Sequence, residues 1–443
     1  MSAKNNRNAQ RQPRQRLACI ADDFTGAGDW ASFYAAAGGK VFLSNGIPET
    51  SWPEAQGVPV IALKSRSLPA DQAVEEFAKA CDYLQAQGFS QIYFKYCSTF
   101  DSTPEGNIGP VTDYLLERTE AVYTILAPAL PENGRTVSAG ILYVNGIPLD
   151  ETHMRHHPLN PMWSSDLRVL MGAQSKYPVF VLPRETYRHE DKLADFLLAL
   201  KRKHKHFTLV PDYENDDDAS ILSECFGNLK LLTGGSGLAK FLGAYQTADD
   251  AAAECCQNET AKVPDTLLLA GSTSEATKQQ TKFYLDYGAA VKVIDTTRIA
   301  EEFKACLPDD IPTLEAKGKL PYFCELKDAV RQIRGPLLLC SDALLSGKKS
   351  DVPGASETLE LLFGELAALA YNQGVRHFLI AGGETSGAVA KRLNWQIYEI
   401  ACSLAPGVPL LHPIDDREAA VCYKSGNFGQ KDFFIRAAKR MSG

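Results

Sequence analysis

Leu17-Ala18-Cys19-Ile20-Ala21 runs directly into Asp22-Asp23-Phe24-Thr25-Gly26-Ala27-Gly28-Asp29. Five apolar residues followed at once by three carboxylates and a glycine-rich turn read as a strand whose carboxyl end feeds a helix, the repeating step of an open α/β sheet. In such sheets ligands bind in the crevice beyond the carboxyl ends of the strands. Adjacent acids at that place repel one another unless a cation, a basic side chain or a ligand hydroxyl compensates. The plainer alternative is a helix start in which Asp22 or Asp23 caps and Gly26 eases the turn. Either way the chain passes from strand to helix here.

Working outward, the same alternation continues. Strands are expected at 40–43, 59–63, 91–96, 122–127, 179–182, 207–210 and 229–232. Between several of them lie amphipathic stretches such as Ala70–Ala86, with Val74, Phe77, Ala78, Cys81 and Leu84 at helical spacing. One segment departs from the pattern: Asn145-Gly146 sits between apolar runs at 141–149 and predicts a hairpin. The polar, small-residue stretch 247–263 reads as a linker. Beyond it strands are expected at 266–270, 291–294, 336–340, 377–380 and 419–422, and helices at 274–287, 356–371 and 385–393. Strand-helix alternation implies parallel sheet covered on both faces. The expected fold is α/β, with two dissimilar three-layer α/β/α domains of mostly parallel sheet at 17–246 and 264–443.

The totals agree with this division. A chain of 443 residues exceeds what one hydrophobic core serves. The net charge of −8 speaks against a general nucleic-acid or membrane-surface role, while a local basic cleft stays open to anionic small molecules. No run of 18 apolar residues occurs, and the eleven cysteines contain no CxxC pair, which points to reduced thiols and a cytoplasmic protein. Residues 1–16, rich in Arg, Asn and Gln, read as a disordered basic arm.

Three turns in the C-terminal half follow strands directly: Gly271-Ser272-Thr273-Ser274, Gly382-Gly383-Glu384-Thr385-Ser386-Gly387 and Lys424-Ser425-Gly426-Asn427-Phe428-Gly429. Phosphate needs converging backbone N–H groups and close backbone approach, which glycine-rich turns at helix starts supply. Gly and Ser are also ordinary helix-start residues; three such turns in one domain favour a nucleotide. GxxxxGK[ST] is absent, so this is no ordinary P-loop, and DDFTGAGD is not GxGxxG, which argues against a dinucleotide. In the N-terminal half, Lys64-Ser65-Arg66-Ser67 and Lys95-Tyr96-Cys97-Ser98-Thr99-Phe100-Asp101-Ser102-Thr103 end their strands with basic and hydroxyl groups. Arg holds a carboxylate through two parallel hydrogen bonds, and an unpaired Lys beside buried strand residues is costly. His153, His156 and His157 lack acidic co-ligands at definite spacing and read as substrate contact or surface loop rather than zinc. Asp216-Asp217-Asp218 reads as a solvated run capping a helix that begins at Ala219, and 201–206 (KRKHKH) as a helix end.

Taken together and in order, ADDFTGAGD, LKSRS, KYCSTFDSTPEGNIGPV, APALPENGRT, HPLNPM, TGGSGLA, GSTS, AGGETSG and KSGNFG resemble the four-carbon acid sugar kinase family over about residues 17–434. The long form of the Lys95 motif, with Pro131-Glu132-Asn133-Gly134-Arg135 and 157–162, resembles its 3-oxo-tetronate kinase subgroup. The resemblance implies an N-terminal sugar-acid domain, a C-terminal nucleotide domain and transfer from ATP to the 4-hydroxyl of a 3-oxo four-carbon acid. A plain tetronate such as threonate or erythronate is the nearest rival substrate, and a non-catalytic sugar-acid regulator a more distant one. It places ATP on Ser272, Gly382, Gly383, Glu384, Thr385 and Gly426, with Mg²⁺ held mostly by phosphate oxygens and Glu384 as one protein carboxylate for it. Asp22 or Asp23 is expected to orient or deprotonate the hydroxyl; Arg66, Lys95, Asp101 and Ser102 to bind the acid. Domain closure is expected to exclude water. Gly28 departs from the threonine or similar residue frequent in the family. The expected partner is a small sugar acid, with no nucleic acid or membrane, and the assembly is left open to a homodimer.

Overall fold

The computed structural model describes residues 15–53, 57–156, 161–247, 263–304, 310–346, 353–405, 407–424, 426 and 428–441. The expected arm (1–14), most of the linker (248–262), His157, Ser425 and Asn427 lie outside them. Arg16, counted with the arm, is anchored: Nη1 donates to Gln87 O at 2.9 Å and the guanidinium lies 4.1 Å from the Phe89 ring centre.

The chain forms two compact units: Met1–Val41 with Glu49–Ala252, and Phe42–Pro48 with Ala253–Gly443. Up to the linker the strands are β1 (Leu17–Ala21), β2 (Val41–Asn45), β3 (Val58–Ala62), β4 (Gln91–Lys95), β5 (Tyr123–Ala127), β6 (Arg135–Ser138), β7 (Ile141–Val144), β8 (Ile147–Pro148), β9 (Val179–Leu182), β10 (Phe207–Pro211) and β11 (Leu231–Gly234). Seven of them build the first unit's parallel sheet in the order β3-β1-β4-β11-β5-β10-β9. Every residue of β1 is buried, as a strand covered on both faces requires. The helices fall into two packed sets, Phe24–Ala36 with Ala239–Thr247 and Ala70–Ala86 with Ile108–Arg118, and both sets touch β1. The predicted hairpin is β7–β8, turning through Asn145 (φ 52°) and Gly146 (φ 79°); with β6 it makes a small antiparallel sheet.

In the second unit the strands are β12 (Thr266–Ala270), β13 (Ala290–Ile294), β14 (Pro336–Ser341), β15 (His377–Ala381), β16 (Ile397–Ala405), β17 (Val408–Pro413) and β18 (Ala420–Lys424). Their order is β13-β14-β12-β15-β18-β17-β16-β2. The first five run parallel; β17, β16 and β2 continue the sheet antiparallel. The expectation of α/β units with mostly parallel sheet holds in both, these last three strands being the antiparallel part. Phe42–Pro48, assigned by sequence to the first domain, belongs to the second, with Phe42, Leu43 and Ser44 pairing Glu399, Tyr398 and Ile397. Pairing with a distant strand leaves no local signal, so periodicity cannot reveal it.

A second correction concerns 216–218. The helix begins at Asp216, capped by the Asn215 side chain, and Asp218 is fully buried rather than solvated. It accepts from Arg184 Nε at 2.9 Å, Arg188 Nη2 at 3.0 Å and Tyr187 OH at 3.0 Å. Burial alone would raise its carboxyl; those donors, Arg184 foremost, hold it below the ordinary carboxylate value.

Candidate active site

Strand register sets the first unit's site. Ala21 pairs with Ala62 and Lys95, and Lys95 with Gly234, so β1, β3, β4 and β11 end at one level. The turn after β3 folds back onto Asp22, whose carbonyl accepts Ser65 N at 3.0 Å. That brings Arg66 over the acids. Its Nε and Nη2 donate to Asp22 Oδ2 and Oδ1 at 2.9 Å each, and Nη1 lies 2.9 Å from Asp23 Oδ2. Asp23 also caps the helix Phe24–Ala36, its Oδ1 accepting Gly26 N at 2.7 Å. The two readings of this pair were not exclusive: Asp23 caps and faces a cation at once. Only 4% of the Asp22 side chain is exposed, against 31% for Asp23. Burial pushes the Asp22 carboxyl up against the pull of Arg66. Burial also opposes the Arg66 charge, but the aspartates, Asp22 first, override it and hold the guanidinium above its ordinary value.

Lys95 is buried at the end of β4, with Nζ donating to Tyr96 O at 2.8 Å. A Cβ on Gly26 would stand 2.8 Å from that Nζ and 2.5 Å from Asp23 Oδ1, so a side chain there would push the ammonium and the capping carboxylate aside. Ser102 is placed differently. It accepts Gln174 Nε2 at 3.1 Å and braces the loop after β4, where Asp101 also lies; Asn107 Nδ2 ties this loop to Ser65 O at 2.8 Å.

Three residues that sequence reasoning quoted without a role also face this region. Asp29, on the capped helix, lies in the electrostatic reach of Lys95, Asp23 and Arg135 and is faced by Ser236. Burial pushes its carboxyl up, Lys95 being the main opposing influence. Ser236 follows β11 and Arg135 opens β6. Their signal lay in TGGSGLA and PENGR, where glycines mark close packing: a Cβ on Gly235 or Gly237 would stand 2.5 Å from Pro128 O or 2.2 Å from Ala129 O.

In the second unit Ala270 pairs with Cys340 and Ala381, and Ala381 with Lys424, which aligns the three glycine turns. The helix after β12 (Glu275–Asp286) packs with Phe433–Arg440, whereas the helix after β15 (Gly383–Arg392) packs with Ala355–Asn372. Consecutive helices therefore leave β12 and β15 toward opposite faces, which makes the gap between these strands a topological switch point. Gly382 borders it at φ 132° and ψ 135°, a conformation for glycine alone, and a Cβ there would stand 3.0 Å from Ser272 N. Gly426 is closed in harder, its Cβ position 2.2 Å from Ser272 Oγ and 2.7 Å from Ser274 Oγ. At Gly383 a Cβ would meet nothing within 4 Å, and Glu384 beside it is exposed. Thr385 is buried against Gly271.

Lys424, quoted in the third turn without a role, is buried at the end of β18. Nζ donates to Gly426 O at 2.9 Å and to Thr277 Oγ1 at 3.4 Å, and burial lowers it to about 8. Beside the first turn a cavity of about 340 Å³ opens between Gly271, Thr273, Thr296, Ser341 and the helix start at Gly354–Glu357. It adjoins the Ser272 turn, and its size suits a small-molecule moiety. Among the described residues no group of three or more His, Cys, Asp or Glu is arranged to hold a metal ion, and no helix is long and apolar enough to cross a membrane.

Residues 17–242 match a sugar-binding N-terminal domain and residues 267–434 a nucleotide-binding C-terminal domain. The chain belongs to the four-carbon acid sugar kinase family. Among relatives in this family, a Salmonella typhimurium protein named 3-oxo-tetronate kinase is 37% identical, covering 96% of this chain and 99% of its own. One of the same name from Pectobacterium atrosepticum is 38% identical, covering 96% and 99%. A crystal structure from Salmonella typhimurium LT2, put forward as a tRNA synthase, superposes with a TM-score of 0.81 at 37% identity, covering 95% of this chain and 98% of its own.

Proposed function

We propose that the protein transfers the γ-phosphoryl group of ATP to the 4-hydroxyl of a 3-oxo-tetronate, giving 3-oxo-tetronate 4-phosphate and ADP. The observation that carries this reading is the near full-length similarity to relatives named 3-oxo-tetronate kinase. The glycine turns support it, because they offer a backbone cradle without a Walker lysine loop, as phosphates require.

Phosphoryl transfer asks little covalent chemistry of a protein; positioning and charge stabilisation dominate. In this reading Ser272, Gly382, Gly383, Glu384, Thr385 and Gly426 surround the phosphates, and the adjoining cavity takes the nucleoside. Lys424 adds a cation behind the Gly426 turn. Mg²⁺ would accompany ATP, and exposed Glu384 is the residue beside the cradle whose carboxylate would help to hold it, the ion supplying charge neutralisation there. ATP with its metal supplies the phosphoryl group and neutralises its charge. In the first unit Asp23 meets the attacking hydroxyl, since it is the more exposed of the pair and keeps lone pairs beyond those given to Gly26 N and Arg66. Asp22, its two oxygens taken by Arg66, holds that guanidinium in place. Lys95 contributes positive charge toward the acid, and the Asp101–Ser102 loop forms the wall beside it.

A coupled assay of ADP release with 3-oxo-tetronates, threonate and erythronate tests the substrate. The expected result is the highest kcat/KM with a 3-oxo acid. Equal or faster turnover of an unoxidised tetronate would replace the proposed substrate.

A further inference from the structure

Arg135 Nε and Ser236 Oγ are buried and have no hydrogen-bond partner in the protein. Such atoms are uncommon in folded proteins, because an unpaired buried donor forfeits the hydrogen bond that water gave it. Ser236 is 1% exposed, so solvent does not supply the missing partner. The two groups come from different elements that the backbone holds side by side. Gly235 and Gly237 lay the Ser236 turn against 128–130, and Leu130 exchanges backbone hydrogen bonds with Arg135 at 2.9 and 3.1 Å. Both act on one acceptor, the Asp29 carboxylate: Ser236 faces it without closing a hydrogen bond, and Arg135 reaches it electrostatically. Lys95, on the strand next to the Ser236 turn, completes the group.

This leaves two donors unspent beside an acidic acceptor. An α-hydroxy carboxylate is the complement: its carboxylate accepts from the donors, and its hydroxyl donates to the acid. Arg66 is the poorer anchor for that carboxylate, since three of its N–H groups are already given to Asp22 and Asp23. We propose that Asp29, Arg135, Ser236 and Lys95 form the subsite for the C1 carboxylate and C2 hydroxyl of the sugar acid, with Arg135 and Ser236 on the carboxylate and Asp29 on the hydroxyl. The inference rests on the sugar-acid reading of the N-terminal unit and adds which of its residues recognise the acid end.

Ser236→Ala gives a signature that a merely structural role does not. It removes one hydroxyl that closes no hydrogen bond in the free protein, so the melting temperature of the free protein should change little, while the rise induced by the acid should shrink. Arg135→Gln should raise KM for the acid about 10- to 100-fold with KM for ATP within about twofold, and Arg135→Lys should recover part of the loss. Asp29→Asn should weaken discrimination between acids with and without a C2 hydroxyl. The measurements are thermal shifts with threonate, erythronate and 3,4-dihydroxybutanoate, which lacks the C2 hydroxyl, and steady-state kinetics with the 3-oxo acid. Wild type that responds to an acid, with Ser236→Ala and Arg135→Gln responding equally, overturns this subsite alone. Wild type that responds to none of them overturns the sugar-acid reading and the subsite with it.

Discussion

Arg66 bridges the two carboxylates of Asp22 and Asp23, with Nε and Nη2 forked onto Asp22 and Nη1 on Asp23, each contact at 2.9 Å. The sequence reading gave Arg66 to the substrate. The geometry makes it first a structural cation, because it neutralises a carboxylate that is almost wholly buried. Arg66→Ala should therefore destabilise the protein by about 3 kcal/mol, the low end for a broken buried pair because Arg66 itself is partly exposed. Arg66→Lys should recover only part of that, since an ammonium cannot fork. Urea unfolding measures both; a loss below about 1 kcal/mol for the alanine variant contradicts a structural role.

Asp23→Asn separates capping from chemistry. Asn keeps an oxygen for Gly26 N, so the helix start should survive. If Asp23 meets the attacking hydroxyl, kcat should fall by about 10² to 10⁴ with KM for ATP little changed. Near-wild-type kcat would leave Asp23 a cap and move activation of the hydroxyl elsewhere. Asp22→Asn is the poorer probe, because it also weakens the Arg66 fork.

The two glycines of the second turn should behave oppositely. Gly383 has open space where a side chain would go, so Gly383→Val should melt near wild type yet lose nucleotide binding by filling the cradle. Gly382 has φ 132°, and Gly382→Ala should lower stability even without ligand. Titration calorimetry and thermal melts read the contrast. Undiminished ATP affinity in a folded Gly383→Val protein removes that turn from the site.

If the glycine turns hold the phosphates, Lys424 should make nucleotide binding depend on pH. Burial brings it to about 8 from 10.5, so between these values the unfolded chain holds the proton and the folded one does not. Its effect on the free protein is thus a stability that rises with pH through that window and is lowest below about 8. Phosphates beside it would favour the ammonium. ATP binding at pH 8.5 should take up a proton, and affinity should fall as pH rises further, by at most about tenfold per unit. Calorimetry in buffers of different ionisation heat measures the uptake. Lys424→Met should abolish it; equal uptake in that variant would assign the proton to another group.

What was legible in the sequence were the features that reside in short stretches. Buried parallel strands such as Leu17–Ala21 and Thr266–Ala270 are continuous apolar runs, and the helix at Ala70–Ala86 carries its spacing in its own residues. Asn145-Gly146 forecast its hairpin because left-handed φ is written into residue type. What was hidden depends on partners far along the chain. Asp218 looked solvated because Arg184 and Arg188, which pair with it, stand 34 and 30 residues away, at the start and the cap of another helix. β16 alternates in burial from Tyr398 on and pairs antiparallel with β17, where a search for parallel runs does not look. In the site, Asp22, Asp23, Arg66 and Lys95 were visible as strand-end charges. Asp29 and Ser236 were not, since neither a helix carboxylate nor a turn serine is unusual until the fold shows what each faces.

The strand β2 has a consequence for how such a protein can arise and be divided. A sheet in the second unit ends on residues translated before most of the first unit exists, so the ribosome releases that edge long before β16 appears to receive it. Cutting the gene within 247–263 would yield a C-terminal product whose β16 lacks its neighbour, an open edge of the kind that invites self-association. The halves are therefore no interchangeable cassettes. Recombination at the linker alone leaves a sheet unfinished.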